Sequence, residues 1–258
     1  MGPDGPLTAH SGCKPTAGCA VFGAVGLLSL PARLSVVPPP RRYHALIFDL
    51  GGVLINLDYA APIAAFATLT GSLGDQLGFT QQAQAPLFDA LETGQLSAAN
   101  FRTALRRTYG LRAEVPDAAL DAAWNAILLD VPAERLALLR ALRAGGYRLF
   151  LLSNTNALHR AAFDAILHRD HGLPDGLLSL FDQVYYSHEV GLRKPDAAIF
   201  RRVVADHDLD PTRTLFIDDS PQHVTAARTV GLRALWLEPG QVITTPFPFL
   251  DALRSPAA

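Results

Sequence analysis

From Tyr43 onward, short runs of β-branched, leucine-rich and aromatic residues alternate with longer stretches in which Leu and Ala recur every three or four positions. Five of the runs read as strands: Ala45–Phe48, Arg148–Leu152, Val184–Tyr186, Thr214–Ile217 and Ala234–Leu237. They are apolar almost throughout, as strands are when helices cover both faces of a sheet. Such strands alternating with helices predict a doubly wound, Rossmann-like parallel α/β sheet. Pro132–Ala144 carries Leu136, Leu139 and Leu142 at helical spacing and ends at Gly145-Gly146, a helix stop. Asp196–His207 starts on an acid after Pro195, and Ser220-Pro221 places an N-cap residue before a first-turn proline in a helix that Gly231 closes.

The stretch between the first two strands has a different character. It contains no clear strand, and Asp58–Leu69, Gln82–Leu91, Ala98–Tyr109 and Asp117–Leu128 each show an amphipathic helical period, with Ser97 and Asp117 as N-cap candidates. An all-helical block inserted after the first strand of a parallel sheet predicts a cap domain. The expected division is a core of residues 43–58 and 130–240, a cap of residues 59–129, an extension over 1–42 and a tail over 241–258.

The extension is rich in Gly, Pro and small residues and ends in Pro38-Pro39-Pro40-Arg41-Arg42. Its apolar run Cys19–Leu30 is 12 residues long, short of the roughly 20 that span a bilayer. It reads as a disordered stretch or as sequence upstream of the true start. A weak signal-peptide core behind Lys14 is the lesser alternative, because no small-residue cleavage site follows it.

Composition narrows the function classes. The 258 residues are 49% hydrophobic and 18% charged with a formal net charge of −2, a globular balance without a basic nucleic-acid surface or an acidic tail. Both cysteines, Cys13 and Cys19, lie in the extension, so the folded part needs no disulfide and suits a reducing cytoplasm. No nucleic-acid or membrane partner is expected. The sequence specifies no oligomer, and a monomer is favoured.

Ligand sites of open parallel sheets form beyond the C-terminal strand ends. The first strand runs into Asp49, the second into Ser153-Asn154-Thr155-Asn156 and the fourth into Asp218-Asp219-Ser220; Lys194 precedes the helix leading to the fourth. Taken singly, these are ordinary turn, N-cap and surface residues. All four segments fall where one crevice gathers them, as carboxylate, hydroxyl, ammonium and paired carboxylates. Phosphoryl transfer through an aspartyl phosphate needs those parts: a carboxylate nucleophile, a cation held by carboxylates, and donors to the phosphoryl oxygens.

These segments carry a family resemblance. Phe48-Asp49-Leu50-Gly51-Gly52-Val53-Leu54, Leu152 to Asn156, Gly191 to Asp196 (continuing through Ile199-Phe200) and Phe216 to Ser220 are similar, in order, to the four motifs of the haloacid-dehalogenase-like hydrolases. The likeness spans about Tyr43 to Leu237. Within the family the chain resembles the branch of bacterial α-D-glucose-1-phosphate phosphatases. The resemblance implies a Mg²⁺-dependent phosphatase acting on a small phosphorylated metabolite, for example a sugar phosphate. It implies Asp49 as nucleophile, Asp49, the Gly51 carbonyl, Asp218 and Asp219 around Mg²⁺, and Ser153, Asn154, Lys194, Gly51 and Gly52 at the phosphoryl group, with Lys194 also compensating the charge of Asp49.

Two departures stand out. Most phosphatases of the family carry a second aspartate two residues after the nucleophile, as acid for the leaving group and base for the water; this chain has Gly51, as does the resembling branch. Many relatives place Asp or Asn where this chain has His223. Gly51 leaves a metal-independent 2-haloacid dehalogenase as a rival, against which the Asp218-Asp219 pair argues. A non-catalytic phosphate-binding or regulatory protein is the rival of another class. A phosphomutase fits less well, since return transfer relies on the missing acid. Among cap residues, Trp124 and Asn125 face the crevice or, more simply for Trp124, pack in the cap core. Glu92-Thr93-Gly94 reads as a helix–helix turn, His159 as structural, and Arg193 as pointing to substrate or to solvent.

Overall fold

A computed structural model of the chain describes residues 42–70 and 85–245. The N-terminal apolar run, both cysteines and the start of the expected helix at Gln82 lie outside them. Five parallel strands, β1 (Ala45–Phe48), β2 (Arg148–Ser153), β3 (Gln183–Tyr186), β4 (Thr214–Asp218) and β5 (Arg233–Trp236), form one sheet in the order β3-β2-β1-β4-β5. The chain builds outward from β1 to β3, then crosses to the other side of β1 for β4 and β5. That reversal opens a crevice between the ends of β1 and β4, where Asp49 and Asp218 stand.

The period-two alternation divides the strand residues between two cores. Leu46, Phe48, Leu149, Leu151, Leu215 and Ile217 face one layer, with Leu136, Leu139 and Leu142 of α5 (Ala133–Ala144) and Phe163 and Leu167 of α6 (Ala157–His171). Ala45, Ile47, Phe150, Leu152 and Phe216 face the other, with Ile199, Phe200 and Val203 of α8 (Ala197–Asp206) and Ala227 of α9 (Pro221–Thr229). Helices on both faces account for the uniformly apolar strands.

The inserted block is helical: α1 (Ala60–Thr70), α2 (Pro86–Glu92), α3 (Ala98–Tyr109) and α4 (Asp117–Asn125). It has its own core of Phe66, Phe88, Phe101, Leu105, Leu120 and Trp124 among others. Arg102 of α3 grips Asp121 of α4 with two 2.7 Å hydrogen bonds. Where the block joins the sheet domain, residues 56–58 and 127–130 run side by side, with Asn56 N–H donating to Asp130 O (2.9 Å), Leu129 N–H to Asn56 O (3.0 Å) and Asp58 N–H to Ile127 O (2.9 Å). This pairing draws the chain out of α4 at Asn125, three residues before the expected end.

Ser97 caps α3 as expected, accepting from Asn100 N–H, whereas Pro116 occupies the cap position of α4 and Asp117 is its first helical residue. Ser220 stands at the N-cap of α9 without a side-chain cap bond. A four-residue helix, α7 (Ser187–Val190), follows β3.

Candidate active site

Asp49 emerges from β1 still tied to the sheet, its N–H donating to Ile217 O at 2.9 Å. At the end of β4, Asp218 is wholly buried. Lys194, from the loop between α7 and α8, is 0% exposed and places Nζ 2.7 Å from Asp49 Oδ1 and 2.7 Å from Asp218 Oδ2. Asn154, just past β2, holds that loop: its side-chain amide donates to Lys194 O and its carbonyl accepts from Lys194 N–H, both at 2.8 Å. Asn154, expected at the phosphoryl group, uses its side chain to position the lysine backbone and also lines the cavity beside it.

The electrostatics follow from two carboxylates and one ammonium in a dry place. Burial and the charge of Asp218 push the Asp49 carboxyl well above the ordinary range, against the pull of Lys194. Asp218 goes the other way: burial raises it, but Lys194 and the hydrogen bond from His223 outweigh burial and hold it at about 2. For Lys194, burial opposes the charge, and Asp218 and Asp49 overcome it. Burial depresses the His223 imidazole, so its Nδ1–H donates as a neutral ring to Asp218 at 3.0 Å.

Asp218 is therefore already occupied by Lys194, His223 and Ser220 N–H (2.8 Å). Asp219, half-buried, lies against Gly52: a β-carbon on residue 52, whose φ is +69°, would meet Asp219 Oδ2 at 2.1 Å. Only glycine fits that close approach. Its neighbour Gly51 shows where the missing acid has gone. A β-carbon on residue 51 would lie 2.6 Å from Leu57 Cδ1, so a leucine from the cap linker covers the spot. Ser153, buried at the end of β2, makes only a long 3.4 Å contact from its hydroxyl to Asn154 O.

The donor set suits a hard cation. Asp49, Asp218 and His223 offer ligand atoms within 4.8 Å of one another, but His223 is turned onto Asp218, and Mg²⁺ takes oxygens. Gly51 lines the cavity beside the cluster, and Asp219 Oδ2 lies against Gly52. A cation there would also offset the burial that drives Asp49 toward its neutral form.

A cavity of about 80 Å³ opens beside this cluster, lined on the sheet side by Gly51, Ser153, Asn154 and Thr155 and on the cap side by Leu57, Tyr59, Glu92 and Ile127. The sequence singled out neither Tyr59 nor Glu92 as lining residues. Glu92 ends α2 as expected of a turn, yet it is buried and reaches the core, with Oε2 3.0 Å from the Arg193 guanidinium. Arg193 also pairs with Asp89 and so faces the cap. The turn after Glu92 needs glycine, since a β-carbon on residue 94 would meet His188 O at 2.2 Å.

His159 is structural, as expected, and holds the cap from the other side. Its ring stacks on Trp124 at 4.7 Å, and Trp124 stacks on Phe88 at 4.8 Å, which settles Trp124 as cap core. Asn156 Oδ1 accepts from two backbone N–H groups, so its amide NH₂ donates to His159 Nδ1 and leaves Nε2–H to donate to Trp124 O at 3.2 Å. Asn125 is not among the cavity-lining residues.

An inserted helical cap over a doubly wound sheet, with a buried Asp–Lys–Asp cluster at the switch point, defines a hydrolase of one class. The family model for haloacid dehalogenase-like hydrolases matches residues 43–231, and the chain belongs to that family. Among its relatives is the D-ribitol-5-phosphate phosphatase of Bacteroides thetaiotaomicron, 29% identical over 195 residues, 76% of this chain and 92% of that protein. A sesquiterpene phosphatase of Aspergillus oryzae is 27% identical over 197 residues, 76% of this chain and 90% of that protein. The structure of a family enzyme from Bacteroides thetaiotaomicron, solved in complex with magnesium and inorganic phosphate, is 34% identical with a TM-score of 0.66, covering 77% of this chain and 96% of that one.

Proposed function

We propose that this chain is a Mg²⁺-dependent phosphatase of a small phosphorylated metabolite, working through an aspartyl phosphate on Asp49. The observation that carries the reading is Lys194, fully buried and 2.7 Å from both Asp49 and Asp218. That ammonium orients one carboxylate for attack on phosphorus and offsets charge that would otherwise repel a phosphate dianion. Asp49, the Gly51 carbonyl and Asp219 would hold Mg²⁺, which would polarise the phosphoryl oxygens. Asp218 would serve the site through Lys194. The Ser153 hydroxyl, with Lys194, would donate to the phosphoryl group, and the Gly51 and Gly52 backbone lets that group approach closely. The phosphatases among the relatives and the magnesium–phosphate complex support the same chemistry.

In this reading the core comprises residues 43–58 and 130–240 and the cap residues 59–129, with the paired linkers at 56–58 and 127–130 as the seam. No helix among the described residues is long and apolar enough to cross a membrane. The deciding experiment is a screen of phosphorylated metabolites with Mg²⁺ and again with EDTA. Phosphate release that EDTA abolishes is expected. Halide release from 2-haloacids that EDTA leaves intact would replace this reading with the dehalogenase.

A further inference from the structure

An aspartyl phosphate must be hydrolysed, and water near neutral pH needs a base for that. The residue that supplies it in most of these phosphatases is Gly51 here, and the place of its side chain is filled by a Leu57 methyl. Three titratable side chains among the described residues line the cavity beside the cluster: Tyr59, Glu92 and His159.

Two of the three are unsuited. Both nitrogens of His159 are engaged, Nδ1 by Asn156 and Nε2 by Trp124 O, so taking a proton would break the bond from Asn156. The Tyr59 phenol is held protonated, first by burial and then by the charges of Asp219, Asp49 and Glu92; a protonated phenol can donate to an oxygen but is no base. Glu92 remains. It is a buried carboxylate, held by the Arg193 guanidinium at 3.0 Å, one residue before the lysine that grips Asp49. The cavity it shares with Gly51, Ser153 and Asn154 measures about 80 Å³, against roughly 10–15 Å³ of such space that one water needs.

We propose that Glu92, at the C-terminal end of cap helix α2, is the general base that activates the hydrolytic water. The inference rests on the phosphatase reading with Asp49 as nucleophile. In the step, the water oxygen forms a bond to phosphorus while its proton passes to a Glu92 carboxylate oxygen. The bond from phosphorus to the Asp49 oxygen breaks, its electron pair returning to the Asp49 carboxylate, and inorganic phosphate leaves. Glu92 then gives the proton to solvent. The catalytic carboxylate missing from the core is thereby delivered by the cap, so water is activated only with the cap seated as it is here. The ion pair with Arg193 holds Glu92 at the cavity wall.

The test is rapid-quench kinetics with p-nitrophenyl phosphate, whose leaving group departs without protonation, on the full chain with Mg²⁺. Glu92→Gln is expected to retain a burst of about one p-nitrophenolate per enzyme and to accumulate phosphorylated Asp49. Its steady-state turnover should fall by roughly 10²–10⁴-fold, the usual contribution of a positioned acid or base. Formate should partly restore turnover in Glu92→Ala. Unchanged turnover in Glu92→Gln overturns the proposal. So does a parallel loss of burst and turnover, which would leave Glu92 a positioning residue acting through Arg193. A wild-type enzyme that never forms phosphorylated Asp49 points to failure of the underlying phosphatase reading instead, and the proposal falls with it.

Discussion

Asn154 holds Lys194 by both halves of its amide, with 2.8 Å bonds to the lysine's backbone N–H and carbonyl. The side chain so anchored is the one that bridges Asp49 and Asp218, so the accuracy of the site depends on a residue that uses its own side chain on backbone. Asn154→Ala should reduce kcat by roughly 10–100-fold, the scale on which small misplacements are felt, while costing only about 1–3 kcal/mol of stability. Steady-state kinetics and urea unfolding on one preparation would check this. A stability loss without a kinetic one would count against positioning.

Asp49→Asn should leave the fold intact and abolish turnover, since the amide is neither anionic nor nucleophilic. Circular dichroism and phosphate release are the measurements. Retention of more than about one part in a hundred of the activity would be incompatible with a residue worth several orders of magnitude.

The two adjacent acids should separate by phenotype. Asp219→Ala should raise the Mg²⁺ concentration for half-maximal activity at least about tenfold and leave unfolding nearly unchanged, because Asp219 is half-buried beside the crevice. Asp218→Ala removes a buried partner from Lys194 and His223 and should destabilise the protein by about 3–5 kcal/mol. Urea unfolding and Mg²⁺ titration of the two variants give the comparison, and the reverse pattern would make Asp218 the metal ligand.

Without an acid at residue 51, a departing alkoxide carries its developing charge unaided, so kcat/KM for the wild type should fall steeply as leaving-group pKa rises. Gly51→Asp alone meets the Leu57 methyl 2.6 Å from its β-carbon. Gly51→Asp with Leu57→Ala should flatten the dependence more than Gly51→Asp does. A Brønsted series of aryl and alkyl phosphates reads this out, and a shallow wild-type slope would mean that another group already protonates the leaving oxygen.

His159 should make folding sensitive to mild acid. Its folded pKa, lowered by burial to about 4, lies below the ordinary value near 6.5. The unfolded chain therefore binds the extra proton first as pH falls. The neutral ring's contribution is whole above pH 6.5 and declines through the window down to about pH 4, by roughly 3 kcal/mol in all. His159→Gln, which keeps an amide for the Trp124 carbonyl, should show a smaller decline between pH 7 and pH 4 in urea unfolding. An identical decline in both proteins would place the sensitivity elsewhere.

The residues of the candidate site were legible because they sit in short local patterns. Asp49, Ser153, Lys194 and Asp218 each lie within a few residues of a strand end or helix start, and uninterrupted apolar runs marked all five strands to within one residue at each end. Helix α3 (Ala98–Tyr109) matched its expected bounds, since Ser97 supplied a cap and Gly110 a left-handed C-cap. Helix α6 was signalled by its cap at Asn156 but its extent was not: its buried stripe is only His159, Phe163 and Leu167, and a histidine in an apolar stripe weakens the periodic signal.

Local residue order thus marked the strands, the inserted helical block and the polar residues at the strand ends, because those depend on propensity and spacing within about ten residues. Contacts between distant segments decided the rest. Strand β5 begins at Arg233 because pairing with β4 sets its register. Arg193 meets Asp89 across a sequence separation of 104 residues and Asn154 meets Lys194 across 40. A Leu57 methyl covering Gly51, and a cap carboxylate brought to a core cavity, follow from how the two layers close on each other, and no periodicity along the chain encodes that meeting.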